Sequence, residues 1–115
     1  MKMNQMTDTI LEDAAQAFAA LGSEQRLLVL RALVRAGPQG LSIGELGATI
    51  GITGATLTHH VKFLTQAGLL TQTRQGRSVI CAAVAYDTVR RLADFLLSEC
   101  CSDATTCTHD HKDKP

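Results

Sequence analysis

The chain has 115 residues, one domain's worth, with 45% hydrophobic residues but only 3% aromatics, so its core has to be built from Leu, Val, Ile and Ala. Eleven Lys and Arg balance eleven Asp and Glu, so bulk charge announces no polyanionic partner, and such a role must rest on where the cations lie. No apolar run approaches the roughly 20 residues of a bilayer span, and residues 1–13 lack the apolar segment of a secretory signal, so a cytoplasmic protein is expected.

Taken in order, Ile10, Leu11, Ala14, Ala17, Phe18 and Leu21 mark an amphipathic helix over residues 8–21, broken by Gly22-Ser23. Ser23 caps a second helix to about Ala36, with Leu27, Leu30, Leu33 and Val34 expected inward and Arg31 and Arg35 outward. Gly37-Pro38-Gln39-Gly40 is a turn. Ser42 and Glu45 then fit a capping box, opening a short third helix with Leu46 and Ile50 inward.

A tight turn containing Gly47 and Gly51 leads to a fourth helix, ending near Gly68. Thr53 is placed to cap it, and Leu57, Val61 and Leu64 form its buried stripe. Its other face carries Ala55, Thr56, His59, Lys62 and Gln66: small residues first, then donors, then a cation. That order suits a helix entering the DNA major groove by its N-terminal end. Helix, glycine turn and helix make a helix-turn-helix. Two strands, residues 70–74 and 78–84, flank a Gln75-Gly76 turn, with Arg74 and Arg77 bracketing the tip of a β-hairpin wing. Residues 51–80 hold Lys62, Arg74 and Arg77 and no acidic residue, the local excess of cations a phosphate backbone requires.

A last helix, residues 87–100, carries an apolar stripe of Val89, Leu92, Ala93, Leu96 and Leu97, expected to pair with the first helix and with a second copy of the chain. The fold expected is mainly α (α+β): a homodimeric winged helix-turn-helix with about five helices and a two-stranded wing. Residues 1–100 form its DNA-binding and dimerisation domain, and residues 101–115 a flexible polar tail. No paired carboxylates, nucleophile–base set or phosphate-cradling glycine loop stands out, so an enzyme is not expected.

With these residues in view, the chain resembles the ArsR/SmtB family of winged-helix metalloregulatory repressors. The resemblance spans about residues 9–100 and is most specific over residues 20–30, over residues 56–70 and at Gln75-Gly76-Arg77. It implies a homodimer that binds operator DNA without metal and releases it when metal binds. It implies that Thr53, Gly54, Ala55, Thr56, Thr58 and His59 lie at the DNA-facing end of the recognition helix, with backbone contacts from Lys62, Arg74 and Arg77. Two family sites are missing. Ser42-Ile-Gly-Glu-Leu46 lacks the Cys-x-Cys of many arsenic and cadmium sensors. Asp87 and Asp94 have no His near them to make the zinc sensors' paired ligands.

Of the four cysteines, Cys100, Cys101 and Cys107 cluster within eight residues, which in a reducing compartment points to metal or redox chemistry. Adjacent cysteines do not readily bridge each other, because their Cα atoms lie about 3.8 Å apart, below the usual disulfide span. Three thiolates favour trivalent arsenic, with antimonite as a close analogue. Zinc or cadmium would want a fourth ligand, which His109 or His111 could supply. The arrangement resembles the ArsR subgroup whose arsenite site is a C-terminal Cys-Cys-x5-Cys. A site of Cys100 and Cys101 alone would suit a monomethylated arsenical, and a redox switch through Cys101 and Cys107 is a further alternative. Cys81, among Val79, Ile80, Ala82 and Ala83, reads as a buried strand residue, His60 as a packed core histidine, and Glu45 as a cap.

Overall fold

The structure, a computed structural model, describes residues 5–84 and 86–105. Its elements run α1 (Gln5–Ala20), α2 (Glu24–Ala36), β1 (Leu41–Ser42), α3 (Ile43–Ile50), α4 (Gly54–Gln66), β2 (Leu70–Gln75), β3 (Ser78–Ala83) and α5 (Tyr86–Leu97). This is the expected winged helix-turn-helix, with one addition. The sheet has three antiparallel strands in the order β1-β3-β2, not two. The extra strand is the extended pair Leu41–Ser42, which faces Cys81 and Ile80 across the ladder. Two residues give no alternation to read, and Ser42 is also the N-cap of α3.

The core lies where α2, α3, α4 and the sheet meet. Ala17 and Ala20 of α1, Val29, Leu30 and Leu33 of α2, Leu46 of α3 and Leu57, Val61 and Leu64 of α4 are buried together with Leu69, Leu70 and Cys81. Burying each of these leucines contributes roughly 1.5–3 kcal/mol. The face of α2 differs from expectation: Leu27 and Val34 are 44% and 51% exposed, while Val29 and Ala32 are buried. Residues 27–34 are apolar at every position but Arg31, so periodicity could not select the inward face. In α1, too, the small residues Ala14, Ala17 and Ala20 face the core, and Ile10, Leu11 and Phe18 remain exposed.

The helix ends follow their capping chemistry. Ser23 accepts from Arg26 N at the start of α2. At α3 the capping box is complete: Ser42 Oγ accepts from Glu45 N at 3.1 Å, and Glu45 Oε1 accepts from Ser42 N at 2.9 Å. Thr53 is the N-cap of α4 but makes no side-chain capping bond. Its methyl is turned instead toward Gly47, where α3 and α4 cross. A side chain at Gly47 would meet Ile52 O at 2.8 Å and Leu57 Cδ2 at 3.2 Å, so glycine sets how tightly the two helices can approach.

Two further boundaries move. The wing turn consists of Gly76 and Arg77, one residue later than expected, because Gln75 pairs with Ser78. Only the first turn residue has positive φ (Gly76, +62°), the pattern of a type II′ turn. The last helix ends at Leu97, so Cys100 and Cys101 sit in the turns beyond it rather than in its final turn. Cys107, His109 and His111 lie outside the described residues.

Candidate nucleic-acid interface and thiol pair

Helix α4 is built with one buried and one open face. Leu57, Val61 and Leu64 are at most 1% exposed and fix the helix against α2 and α3. The spacing that buries them turns Ala55, Thr56, His59, Lys62 and Gln66 to solvent, and all five are exposed. Thr53, Gly54 and Thr58 are exposed as well. Thr58 donates its hydroxyl proton to Gly54 O at 3.2 Å, so it is available outward only as an acceptor. The N-terminal half of the helix is thus small and polar, a surface that can come close to base edges without a bulky obstacle.

Beyond α4 the ladder of β2 and β3 carries the wing. Arg74 stands on β2 opposite Val79, and Arg77 occupies the turn. Both are exposed. No ion pair ties down Lys62, Arg74 or Arg77 among the described residues; the one salt bridge there joins Arg90 to Asp94 on α5. These cations therefore remain available to phosphate oxygens.

His60, on the side of α4 facing α2, is half-buried. Its Nδ1 is buried without a hydrogen-bond partner. Desolvation, with Arg26 and then His59 adding repulsion, holds its pKa below the ordinary histidine value. It is packed, but at the margin of the core rather than within it as expected. Beside it, the His59 ring lies edge-on to Phe63, centroids 6.1 Å apart, and the Arg26 guanidinium covers the Phe63 ring at 4.1 Å. The reading of the sequence missed this cluster. The available signal was Arg26 itself, a cation in the first turn of α2, where the helix dipole disfavours it.

At the other end of the protein, Cys100 Sγ and Cys101 Sγ are 3.7 Å apart. Cys101 is the one described non-glycine residue with positive φ, at 64°. Such a backbone costs about 1 kcal/mol or more for an L-residue. Among the described residues no three His, Cys, Asp or Glu side chains converge as a metal cage. Cys81 is wholly buried, and burial pushes its thiol pKa up, so it is a sheet core residue as expected.

The helix-turn-helix geometry is matched by comparison with known proteins. Residues 21–73 fit the family model described as a helix-turn-helix domain. Over 78 residues the chain is 38% identical to YceK of Bacillus subtilis (strain 168), an uncharacterised helix-turn-helix-type transcriptional regulator, spanning 68% of this chain and 74% of the relative. This chain belongs to the helix-turn-helix transcriptional regulators. Its fold is that of the ArsR-type winged-helix proteins. The regulator superposes with a TM-score of 0.68, at 18% identity, on a homodimeric winged helix-turn-helix DNA-binding domain from Mycobacterium bovis, a possible ArsR-family regulator, covering 94% of this chain and 97% of that one. An ArsR-like regulator from Rhodococcus sp. RHA1 gives 0.67 at 22% identity over 83% and 85% of the two chains. The repressor BigR from Xylella fastidiosa gives 0.62 at 20% identity over 87% and 98%. The regulator's relatives act on transcription rather than as enzymes. Among the described residues no helix is long and apolar enough to cross a membrane.

Proposed function

We propose that the regulator is a cytoplasmic, arsenite-responsive repressor that binds operator DNA as a homodimer and releases it when arsenite occupies Cys100, Cys101 and Cys107. The observation that carries this reading is the sulfur pair beyond α5. Thiolates sharing one centre through bonds of about 2.3 Å sit roughly 3.5–3.8 Å apart, from pyramidal to tetrahedral angles, and Cys100 Sγ and Cys101 Sγ are separated by 3.7 Å. Once reduction releases Cys101 from its disulfide, a soft ion can span that pair. Cys107, six residues along the chain from Cys101, is near enough in sequence to supply the third thiolate. Antimonite shares the preference for three sulfurs. Zinc and cadmium want four ligands, which makes them the competing inducers.

Dimerisation is supported by what the single chain leaves uncovered. Helix α5 has no fully buried residue. Leu96 and Leu97 are each 66% exposed, and Ile10 and Leu11 on α1 are about half exposed. Pairing two copies through α1 and α5 removes these side chains from water. It also sets two α4 helices against successive major grooves, about one helical turn of DNA apart. Thr53, Gly54, Ala55, Thr56, Thr58 and His59 then approach base edges, while Lys62, Arg74 and Arg77 take phosphates.

Arsenite, when bound, supplies a three-coordinate soft centre. The chain's part would be to supply three reduced thiols, whose protons leave with the three arsenite hydroxyls as water, and to draw the segment after α5 against the end of the dimer helix. Release follows only if that arrangement is disfavoured when both α4 helices are docked, since a ligand shifts only an equilibrium it distinguishes. Fluorescence anisotropy tests this directly, using a duplex that the reduced protein selects from random-sequence DNA. Arsenite is expected to weaken binding by about 5–150-fold. Zinc or cadmium acting in its place would reassign the inducer, and no response to any of them would end this reading.

The wing has a separate signature. Arg77→Ala is expected to weaken binding to all duplexes alike and to reduce the slope of log K against log salt by about 0.9. A salt titration of the variant beside the natural protein measures it, and an unchanged slope would take Arg77 off the phosphate backbone.

A further inference from the structure

The strongest unassigned feature is a set of contacts that begins at the end of α1 and finishes on the outward face of α4. Ala20, the last residue of α1, is fully buried, and its carbonyl accepts from Arg26 Nε at 2.6 Å. That carbonyl belongs to a helix C-terminus, where backbone oxygens lack helical partners and the dipole favours a cation. Arg26 thus leaves an unfavourable place in the first turn of α2 to serve the end of α1. The same guanidinium lies over the ring of Phe63 at 4.1 Å, a cation–π contact. Phe63 is 39% exposed, so no closed core pocket holds it. Its other neighbour is His59, edge-on at 6.1 Å, and His59 is exposed on the surface proposed to meet DNA.

We propose that Arg26 is the positioning residue of the recognition helix, clamping α4 through Phe63 to the end of α1 and so fixing where His59 points. Three helices meet on this one side chain: α1 by hydrogen bond, α2 by covalent attachment and α4 by a cation–π contact. Because α1 is also a helix proposed to pair the two protomers, the clamp gives dimer geometry a physical hold on the DNA-facing surface. Arginine is needed for both contacts together. Its guanidinium carbon sits over the ring while its Nε–H donates, whereas a lysine ammonium is a point charge that can satisfy one partner well.

This inference rests on α4 being the DNA-reading helix, and its test separates the two ideas. The full-length protein is made as Arg26→Met, Arg26→Lys, Phe63→Leu and the Arg26→Met/Phe63→Leu double variant. Affinity is measured by anisotropy against the duplex selected by the natural protein, and the His60 and His59 ring resonances are titrated by NMR. Arg26→Met and Phe63→Leu are each expected to weaken binding about 10-fold, and the double variant by about the same factor rather than 100-fold, because both changes break one contact. The His60 pKa should rise toward its ordinary value in Arg26→Met and stay low in Arg26→Lys, which keeps the charge but not the clamp. Arg26→Lys should nevertheless bind DNA less tightly than the natural protein. Multiplicative losses in the double variant, or Arg26→Met binding DNA within twofold of the natural protein, would overturn the clamp. Failure of the natural protein to select any duplex would instead remove the DNA reading. The clamp would then stand or fall on the His59 ring resonances, which should move in both Arg26→Met and Arg26→Lys; unmoved resonances in both would count against it.

Discussion

Cys100→Ser is expected to stay on DNA in arsenite. Without arsenite its affinity for the selected duplex should lie within twofold of the natural protein, because Cys100 is exposed, lies beyond the end of α5 and belongs to no part of the DNA-facing surface. With arsenite the natural protein should lose about 5–150-fold in affinity, while the variant loses little. The size of the difference follows from the coordination. In the proposed site two sulfurs 3.7 Å apart would hold a soft centre jointly once reduced, and removing one would break the pair. A hydroxyl is a hard, weakly acidic donor and does not substitute for a thiolate. Cys81 offers no replacement, being wholly buried in the sheet with its thiol pKa pushed up. Anisotropy of both proteins, with and without arsenite under reducing conditions, reads the result. A variant that still releases DNA would take Cys100 out of the switch.

The second large effect concerns the fold alone. Gly40→Ala is expected to lose about 3–5 kcal/mol of stability, at the upper end for a single substitution. Gly40 has a φ of +70°, a conformation L-residues disfavour. An added Cβ would also collide with the backbone carbonyl of Cys81 and approach Ala82 Cβ at 3.1 Å. Neither neighbour can yield cheaply, since both belong to β3, the central strand, whose Cys81 pairs with Leu41 of β1. Gly51→Ala is the control. Its backbone is left-handed, φ +78° and ψ 22°, and nothing lies within 4 Å of the added carbon, so it should lose only that backbone strain, about 1–2 kcal/mol. Urea denaturation of the two variants separates steric collision from backbone strain. Equal losses would mean that β1 does not lie against β3 as described.

Much of this was legible in the sequence, for reasons that can be named. The stripe of Leu57, Val61 and Leu64 is buried as read, because a single amphipathic helix shows its period plainly. The Ser42–Glu45 capping box is local chemistry and survives folding unchanged. The wing was legible because a glycine at a strand reversal has few other uses, although its turn lies one residue later.

What was not legible depended on tertiary context. The face of α2 could not be chosen because the helix is apolar nearly all round, and Leu27, Leu28 and Val34 stay exposed in the single chain. The Thr53 hydroxyl makes no cap because its methyl is turned to the crossing at Gly47, a contact between two helices that no local pattern encodes. The meeting of Arg26 with Phe63 joins residues far apart in sequence. For the thiols, spacing supplied the residues, but not the left-handed turn at Cys101 that accompanies the close approach of two adjacent sulfurs.

The most direct measurement of the central claim is the affinity of the reduced protein for arsenite, by calorimetry, alone and saturated with its selected duplex. Coupling between two sites is reciprocal, so DNA should weaken arsenite binding by the same factor that arsenite weakens DNA binding. Equal arsenite affinity in the two states would contradict it, because the sulfurs past α5 would then hold their guest without any knowledge of where α4 lies.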